Sequence, residues 1–129
     1  MEYLLDTVTL VRYLTKSRNI TAKVKAIFEK AEQNECNFFI STISFMEILY
    51  LSEKKRIPIN LDEVVEKIKE STIYSVAALS TEIILTAQQV NFYELHDRMI
   101  LATAKYLDLP LISPDRKFKE VGDIETIWK

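Results

Sequence analysis

The segments that read as strands in this chain are separated by amphipathic stretches of helical spacing, and none is followed by a hairpin turn. Strands joined this way cannot pair as antiparallel neighbours; they need crossovers, and crossovers make parallel sheets. Short apolar runs lie at residues 2–5, Asn37–Ser41, Ile73–Val76, Pro110–Ser113 and Ile124–Trp128. Between them, helices are expected from Asp6-Thr7 to about Lys16, Asn19 to about Asn34, Ser44 to about Lys55, Leu61 to Ser71, Ser80 to about Val90 and Asp97 to about Leu107. Ile57–Asn60 reads as a linker. The expected fold class is α/β, one domain over residues 1–129, with a mainly parallel sheet of four or five strands.

Composition narrows the chemistry by exclusion. The single glycine, Gly122, rules out a glycine-rich phosphate loop or dinucleotide fingerprint. One histidine, His96, and one cysteine, Cys36, leave a conventional zinc site without ligands and rule out two-histidine cleavage of RNA. No serine occupies a nucleophile-elbow setting. Cys36, beside Phe38-Phe39-Ile40, is expected to be a small buried hydrophobe. A net charge of −2 gives no general affinity for nucleic acid, although a local basic groove is compatible with it. No stretch has the length of a membrane span or the pattern of a signal peptide, so a cytoplasmic protein without a membrane is expected. Carboxylate remains in abundance, 19 Asp plus Glu, and it suits hard cations such as Mg²⁺ or Mn²⁺.

Four acids stand in comparable places. Asp6 closes the run Tyr3-Leu4-Leu5, Glu47 opens Ile48-Leu49-Tyr50-Leu51, Asp97 opens Met99-Ile100-Leu101-Ala102, and Asp115 follows Leu111-Ile112. Each has an ordinary explanation. Asp6 and Asp97 suit helix N-caps, Ser44-x-x-Glu47 matches a capping box, and Asp115 after Pro114 suits a turn. Together they carry more weight, because the carboxyl ends of parallel strands gather on one edge, where ligands bind. Like charges about 5 Å apart cost roughly 3 kcal/mol per pair at an effective dielectric near 20. A domain stable by only about 5–15 kcal/mol tolerates such a cluster by protonating it or by holding a cation.

The ordered set Leu4-Leu5-Asp6-Thr7, Ile40-Ser41-Thr42-Ile43-Ser44 with Glu47-Ile48-Leu49, His96-Asp97-Arg98-Met99-Ile100-Leu101-Ala102-Thr103-Ala104 and Leu111-Ile112-Ser113-Pro114-Asp115-Arg116 resembles the PIN domain family, and within it the VapC-type toxins of prokaryotic toxin–antitoxin pairs. The resemblance implies a three-layer α/β/α fold and an Mg²⁺- or Mn²⁺-dependent endoribonuclease. It places Asp6, Glu47 and Asp97 as the three core acids and Asp115 as the fourth, more variable one. Asp6 and Asp97 become the most direct metal ligands. Ser113 becomes the residue whose hydroxyl orients the first acid, and Thr7 is a similar candidate. A homodimer and a small antitoxin partner are also implied. The alternatives are a stand-alone PIN nuclease of RNA processing and a catalytically silent RNA-binding or interaction module. Cations expected to hold RNA phosphates are Arg12, Arg98 and Arg116, with Lys16, Lys54-Lys55-Arg56 and Lys117 as further candidates. Tyr13, Tyr50 and Tyr93 are candidates to stack on bases, and Trp128 is expected to cover the sheet edge. Two positions depart from the family pattern: Val8 replaces a small polar residue or histidine, and Asp108 stands where a glycine is usual, a place that Asp tolerates in the left-handed conformation.

Overall fold

The computed structural model describes residues 1–129. In chain order the strands are β1 (Glu2–Leu5), β2 (Asn37–Ser41), β3 (Tyr74–Ala77), β4 (Leu111–Ile112) and β5 (Thr126–Ile127). The helices are α1 (Thr7–Leu14), α2 (Ala22–Glu32), α3 (Thr42–Glu53), α4 (Leu61–Glu70), α5 (Thr81–Ala87) and α6 (Leu95–Leu107), and a 3₁₀ turn spans Arg116–Glu120. The five strands form one sheet in the order β3-β2-β1-β4-β5, and every pairing is parallel. The chain builds outward from β1 through β2 to β3, then returns to the other side of β1 with β4. That reversal puts the topological switch point between β1 and β4, where open parallel sheets bind ligands.

Alternation along the strands supplies both faces of the sheet with apolar side chains. Leu5, Phe38, Ile40, Ile112 and Ile127 face one core, with Leu10, Phe28, Ile48 and Val64 from α1 to α4. Leu4 and Leu111 face the other, with Ile83, Ile100 and Leu101 from α5 and α6 and Phe118 from the 3₁₀ turn. Three layers result, α/β/α, as the resemblance implied. Cys36 is buried in the first core, its thiol against the Ile27 carbonyl at 3.5 Å. No helix is long and apolar enough to cross a membrane.

Several boundaries differ from expectation, each for a local reason. α3 starts at Thr42 because Ser41, the last residue of β2, caps it by accepting the Ile43 N–H at 3.1 Å. The Ser44–Glu47 capping box therefore does not form: Ser44 is buried within the first turn and Glu47 lies a turn further on. α6 starts at Leu95 because Glu94 is its N-cap, so Asp97 sits inside the first turn rather than at the cap. The linker ends in a true capping box, Asn60 with Glu63. α5 stops at Ala87, short of Val90. α6 ends where the glycine substitute was expected, with Asp108 left-handed at φ 54° and ψ 51°. The 3₁₀ turn was not anticipated.

Candidate functional site

Asp6 leaves β1 and caps α1 in one step. Its Oδ1 accepts the Thr9 N–H at 2.8 Å, and its Oδ2 accepts the Ser113 hydroxyl at 2.5 Å. Ser113 follows β4 directly, so the switch point is spanned by a side-chain hydrogen bond between residues 107 positions apart. The Ser113 oxygen also accepts the Asp115 N–H at 3.1 Å, and the Asp115 carboxylate caps the 3₁₀ turn through the Lys117 N–H at 2.9 Å. Thr9 braces the same junction by donating to the Ile112 carbonyl at 3.0 Å. Asp6 and Ser113 are both buried, at 6% and 1% exposure, so this is a fixed element of the edge and not a mobile rim.

Thr7 ties in the second strand crossing. Its oxygen lies 2.6 Å from Glu47 Oε1 and 2.9 Å from Ser44 Oγ. A hydroxyl carries one proton, and the carboxylate can only accept. Thr7 therefore donates to Glu47 and accepts from Ser44. Asp97 approaches from α6 on the opposite face of the sheet. Its backbone N–H donates to Glu94 Oε2 at 2.6 Å, while Glu94 Oε1 lies 2.8 Å from His96 Nδ1. Glu94 is a fifth acid that sequence reading missed. Its signal was present as E-x-x-D at the start of a helix, but the cap was assigned three residues late.

The electrostatics of these groups are shared. Burial raises the proton affinity of Asp6, partly offset by hydrogen bonds from Ser113 and Thr9 and increased again by the Asp115 charge. Burial also raises Glu47; the Thr7 bond and the nearby His96 oppose it, and Glu94 and Asp6 reinforce it. Asp97 is pushed up to about 6, first by burial and then by the charges of Glu94, Glu47, Asp115 and Asp6. That set of neighbours brings all four sequence-predicted acids into one electrostatic neighbourhood. Burial opposes ionisation of Glu94, but its hydrogen bonds from Asp97 and His96 outweigh this and lower it. His96 is raised, chiefly by its bond to Glu94.

The donor set is carboxylate and hydroxyl oxygen, which fits a hard divalent cation. No three of the chain's His, Cys, Asp and Glu side chains close around a single point. The fit is thus one of chemistry and placement, in an open ring of acids and not a finished cage.

The cations expected to hold phosphates have separate fates. Arg116 is exposed beside Asp115 and lines a cavity of about 370 Å³ next to it. Arg12 donates to the Asn19 carbonyl at 3.2 Å and lies over the Trp128 ring, 5.7 Å from its centroid. Arg98 is half-buried, and its Nε bonds the Ala87 carbonyl at 2.9 Å, closing the C-terminal end of α5. Among the tyrosines, Tyr13 packs into the first core against Phe28 and Phe38. Tyr50 stays exposed near Lys54 and Arg56. Tyr93 is fully exposed and lines a cavity of about 650 Å³ shared with Glu94, Asp97 and Asp115.

The PIN domain family model matches residues 3–124. This chain belongs to the PIN domain family. Its fold is that of chains in several solved toxin–antitoxin complexes. VapBC2 from Rickettsia felis, bound to a promoter DNA fragment, matches with a TM-score of 0.73 at 16% identity, covering 100% of both chains. DNA-bound VapBC from Salmonella typhimurium gives 0.70 at 18% identity, covering 98% of this chain and 97% of that one. VapBC-1 from nontypeable Haemophilus influenzae gives 0.66 at 23% identity, with the same coverage. No curated protein matches the sequence. Asp6 and Ser113, joined across the switch point, and the acids around them all lie within the matched residues.

Proposed function

We propose that this PIN domain is a divalent-metal-dependent endoribonuclease and the toxin of a toxin–antitoxin pair. One observation carries the nuclease reading: carboxylates from β1, α3, α6 and the turn after β4 share one edge of the sheet, and burial and mutual repulsion make three of them reluctant to ionise. A cation at that point relieves the repulsion. Asp6 and Asp97 would hold the ion most directly, with Glu47 and Asp115 completing its surroundings or positioning water. When bound, Mg²⁺ or Mn²⁺ lowers the pKa of its water and offsets charge building on a phosphodiester.

The chain's own residues do the rest. Ser113 fixes Asp6 Oδ2 and, through the Asp115 N–H, sets the start of the 3₁₀ turn. Thr7 orients Glu47. Arg116 stands where it meets the substrate backbone; Arg12 acts through Trp128, and Arg98 serves the packing of α5 on α6. The toxin reading is supported by fold likeness to chains of VapBC complexes over essentially their full length. It implies a small antitoxin partner, and a homodimer is proposed on the same basis.

The test is cleavage of labelled RNA with Mn²⁺ by the wild type and by Asp6→Asn. The expected result is cutting by the wild type, abolished by chelator and lost in the variant by about 100-fold or more. Equal cleavage by the two proteins sinks the reading.

A further inference from the structure

Two cavities meet at Asp115 and differ in sign. The cavity of about 650 Å³ has Glu94, Asp97, Asp115 and Glu120 in its wall against one cation, Lys117. The cavity of about 370 Å³ on the other side reverses this balance among its side chains, with those of Arg116, Lys119 and Lys129 against that of Asp115. Its floor is the end of the sheet: Ser113 follows β4, its N–H donates to the Ile127 carbonyl at 3.1 Å, which sets Trp128 level with it on one side, and its hydroxyl donates to Asp6 on the other, so β4 stands between Trp128 and Asp6. Trp128 is not a loose terminal aromatic. Its backbone carbonyl accepts the Thr21 hydroxyl, its ring packs against the first core, and the Arg12 guanidinium lies over that ring.

The geometry points to this cavity as a subsite for single-stranded RNA beside the scissile phosphodiester. Arg116, Lys119 and Lys129 take phosphates of the adjoining nucleotides, and Trp128, backed by Arg12, takes a base. The inference rests on the nuclease reading of the neighbouring acids and extends it to the substrate's path. A cationic groove with a fixed aromatic face is the chemistry that holds single strands. An acidic peptide would satisfy the cations and leave the ring unused. The size also suits the role, since pockets for small organic ligands run from roughly 300 to 1,000 Å³. The strand then crosses Asp115 from the basic cavity into the acidic one, where the phosphate to be cut meets the carboxylates and Tyr93 stands at the far lip.

Trp128 is the only tryptophan, so its emission reports on this cavity alone. The chain is titrated in chelator, where nothing is cut, with a short fluorescein-labelled single-stranded RNA and separately with polyglutamate. RNA is expected to quench Trp128, and polyglutamate is not. Lys119→Gln/Lys129→Gln alters only exposed side chains and is expected to bind RNA about tenfold more weakly. Its log K against log salt should be shallower by about 1.4, two phosphate contacts at about 0.7 each. The same charge change at Lys67→Gln/Lys69→Gln, exposed on α4, should leave binding within about twofold.

Absence of RNA binding, unchanged emission at saturation, equal quenching by polyglutamate, or a double variant that binds like the wild type overturns the subsite. Cleavage with Mn²⁺ separates the two proposals. RNA held here and never cut removes the nuclease reading and keeps the subsite. Cutting with an unchanged KM in Lys119→Gln/Lys129→Gln removes the subsite and keeps the nuclease.

Discussion

Asp6 and Asp97 reach the same edge from opposite faces of the sheet, and the chain holds them in different ways. Asp6 is buried at the junction of β1 and α1, with each carboxylate oxygen committed to a donor, Thr9 N–H and Ser113 Oγ. Asp97 sits half-buried in the first turn of α6, anchored through its backbone N–H, amid the charges of Glu94, Glu47, Asp115 and Asp6. One acid is preorganised by hydrogen bonds and the other is held against repulsion. On the proposed metal reading, an ion between them would gain geometry from the first and relief of charge from the second. The contrast separates position and electrostatic demand onto two residues.

Truncation gives the largest effect. Asp6→Ala removes the N-cap of α1 and strips a buried hydroxyl of its acceptor, so urea unfolding should show a loss of roughly 2–3 kcal/mol. Asp97→Ala removes a charge the fold resists, and should leave metal-free stability unchanged or slightly higher. Equal destabilisation by both would mean that Asp97 is structural and would end the contrast.

pH gives the next effect, and its sign follows from proton uptake. Asp97 titrates near the ordinary 3.8 when unfolded and near 6 when folded. Between these values the native state holds a proton that the unfolded chain has lost. Metal-free stability therefore falls through this group as pH rises from about 4 to about 6, and the penalty is complete above that. Asp97→Asn should flatten that part of the curve. On the proposed metal reading Mn²⁺ would bind the ionised native state, so its rise in Tm should grow across the same window. A Tm shift with Mn²⁺ as large at pH 4 as at pH 7 would place the ion away from these acids.

Much of this edge was legible because it depends on local rules. Strand–helix alternation without hairpin signals gave the parallel sheet, and Asp6 after an apolar run gave a capped helix at a strand's carboxyl end. Asp108 was readable through the resemblance, which places a glycine there, whereas the left-handed Lys16, Asn34, Lys55 and Asp123 carried no such signal. The misses came where two local solutions compete. Ser41 and Ser44 are both able to cap α3; pairing of β2 with β1 and β3 through its last residues leaves Ser41 at the strand end and decides between them. Glu94 and Asp97 compete in the same way at α6, and the tertiary bond from Arg98 to Ala87 helps to fix that helix one turn earlier. The 3₁₀ turn had no periodic signal because five residues are too few to show one. The basic cavity lay beyond reach for a different reason: Arg12, Arg116, Lys119 and Trp128 are brought together only by the crossover that places β5 beside β4.

The smallest expected effect tests how far the contrast extends to supporting hydroxyls. Ser113 touches two acids, donating to Asp6 and accepting the Asp115 N–H, whereas Thr7 donates to Glu47 alone. Ser113→Ala frees Asp6 Oδ2 and loosens the turn that carries Asp115. Loss of such a supporting bond weakens metal affinity by about 10–100-fold. Thr7→Val should stay at or below the lower end of that range, because Glu47 is half-buried and water can replace the lost donor. Mn²⁺ titration of cleavage measures both. Ser113→Ala should need far more metal for half-maximal cutting but regain much of its rate at saturation, and Ser113→Thr should behave almost like the wild type. A rate that stays low at saturating Mn²⁺ would show that Ser113 serves more than the geometry of Asp6. Equal metal requirements in Ser113→Ala and Thr7→Val would show that Glu47 is as tightly organised as Asp6, and would move the preorganised half of the site from one residue to two.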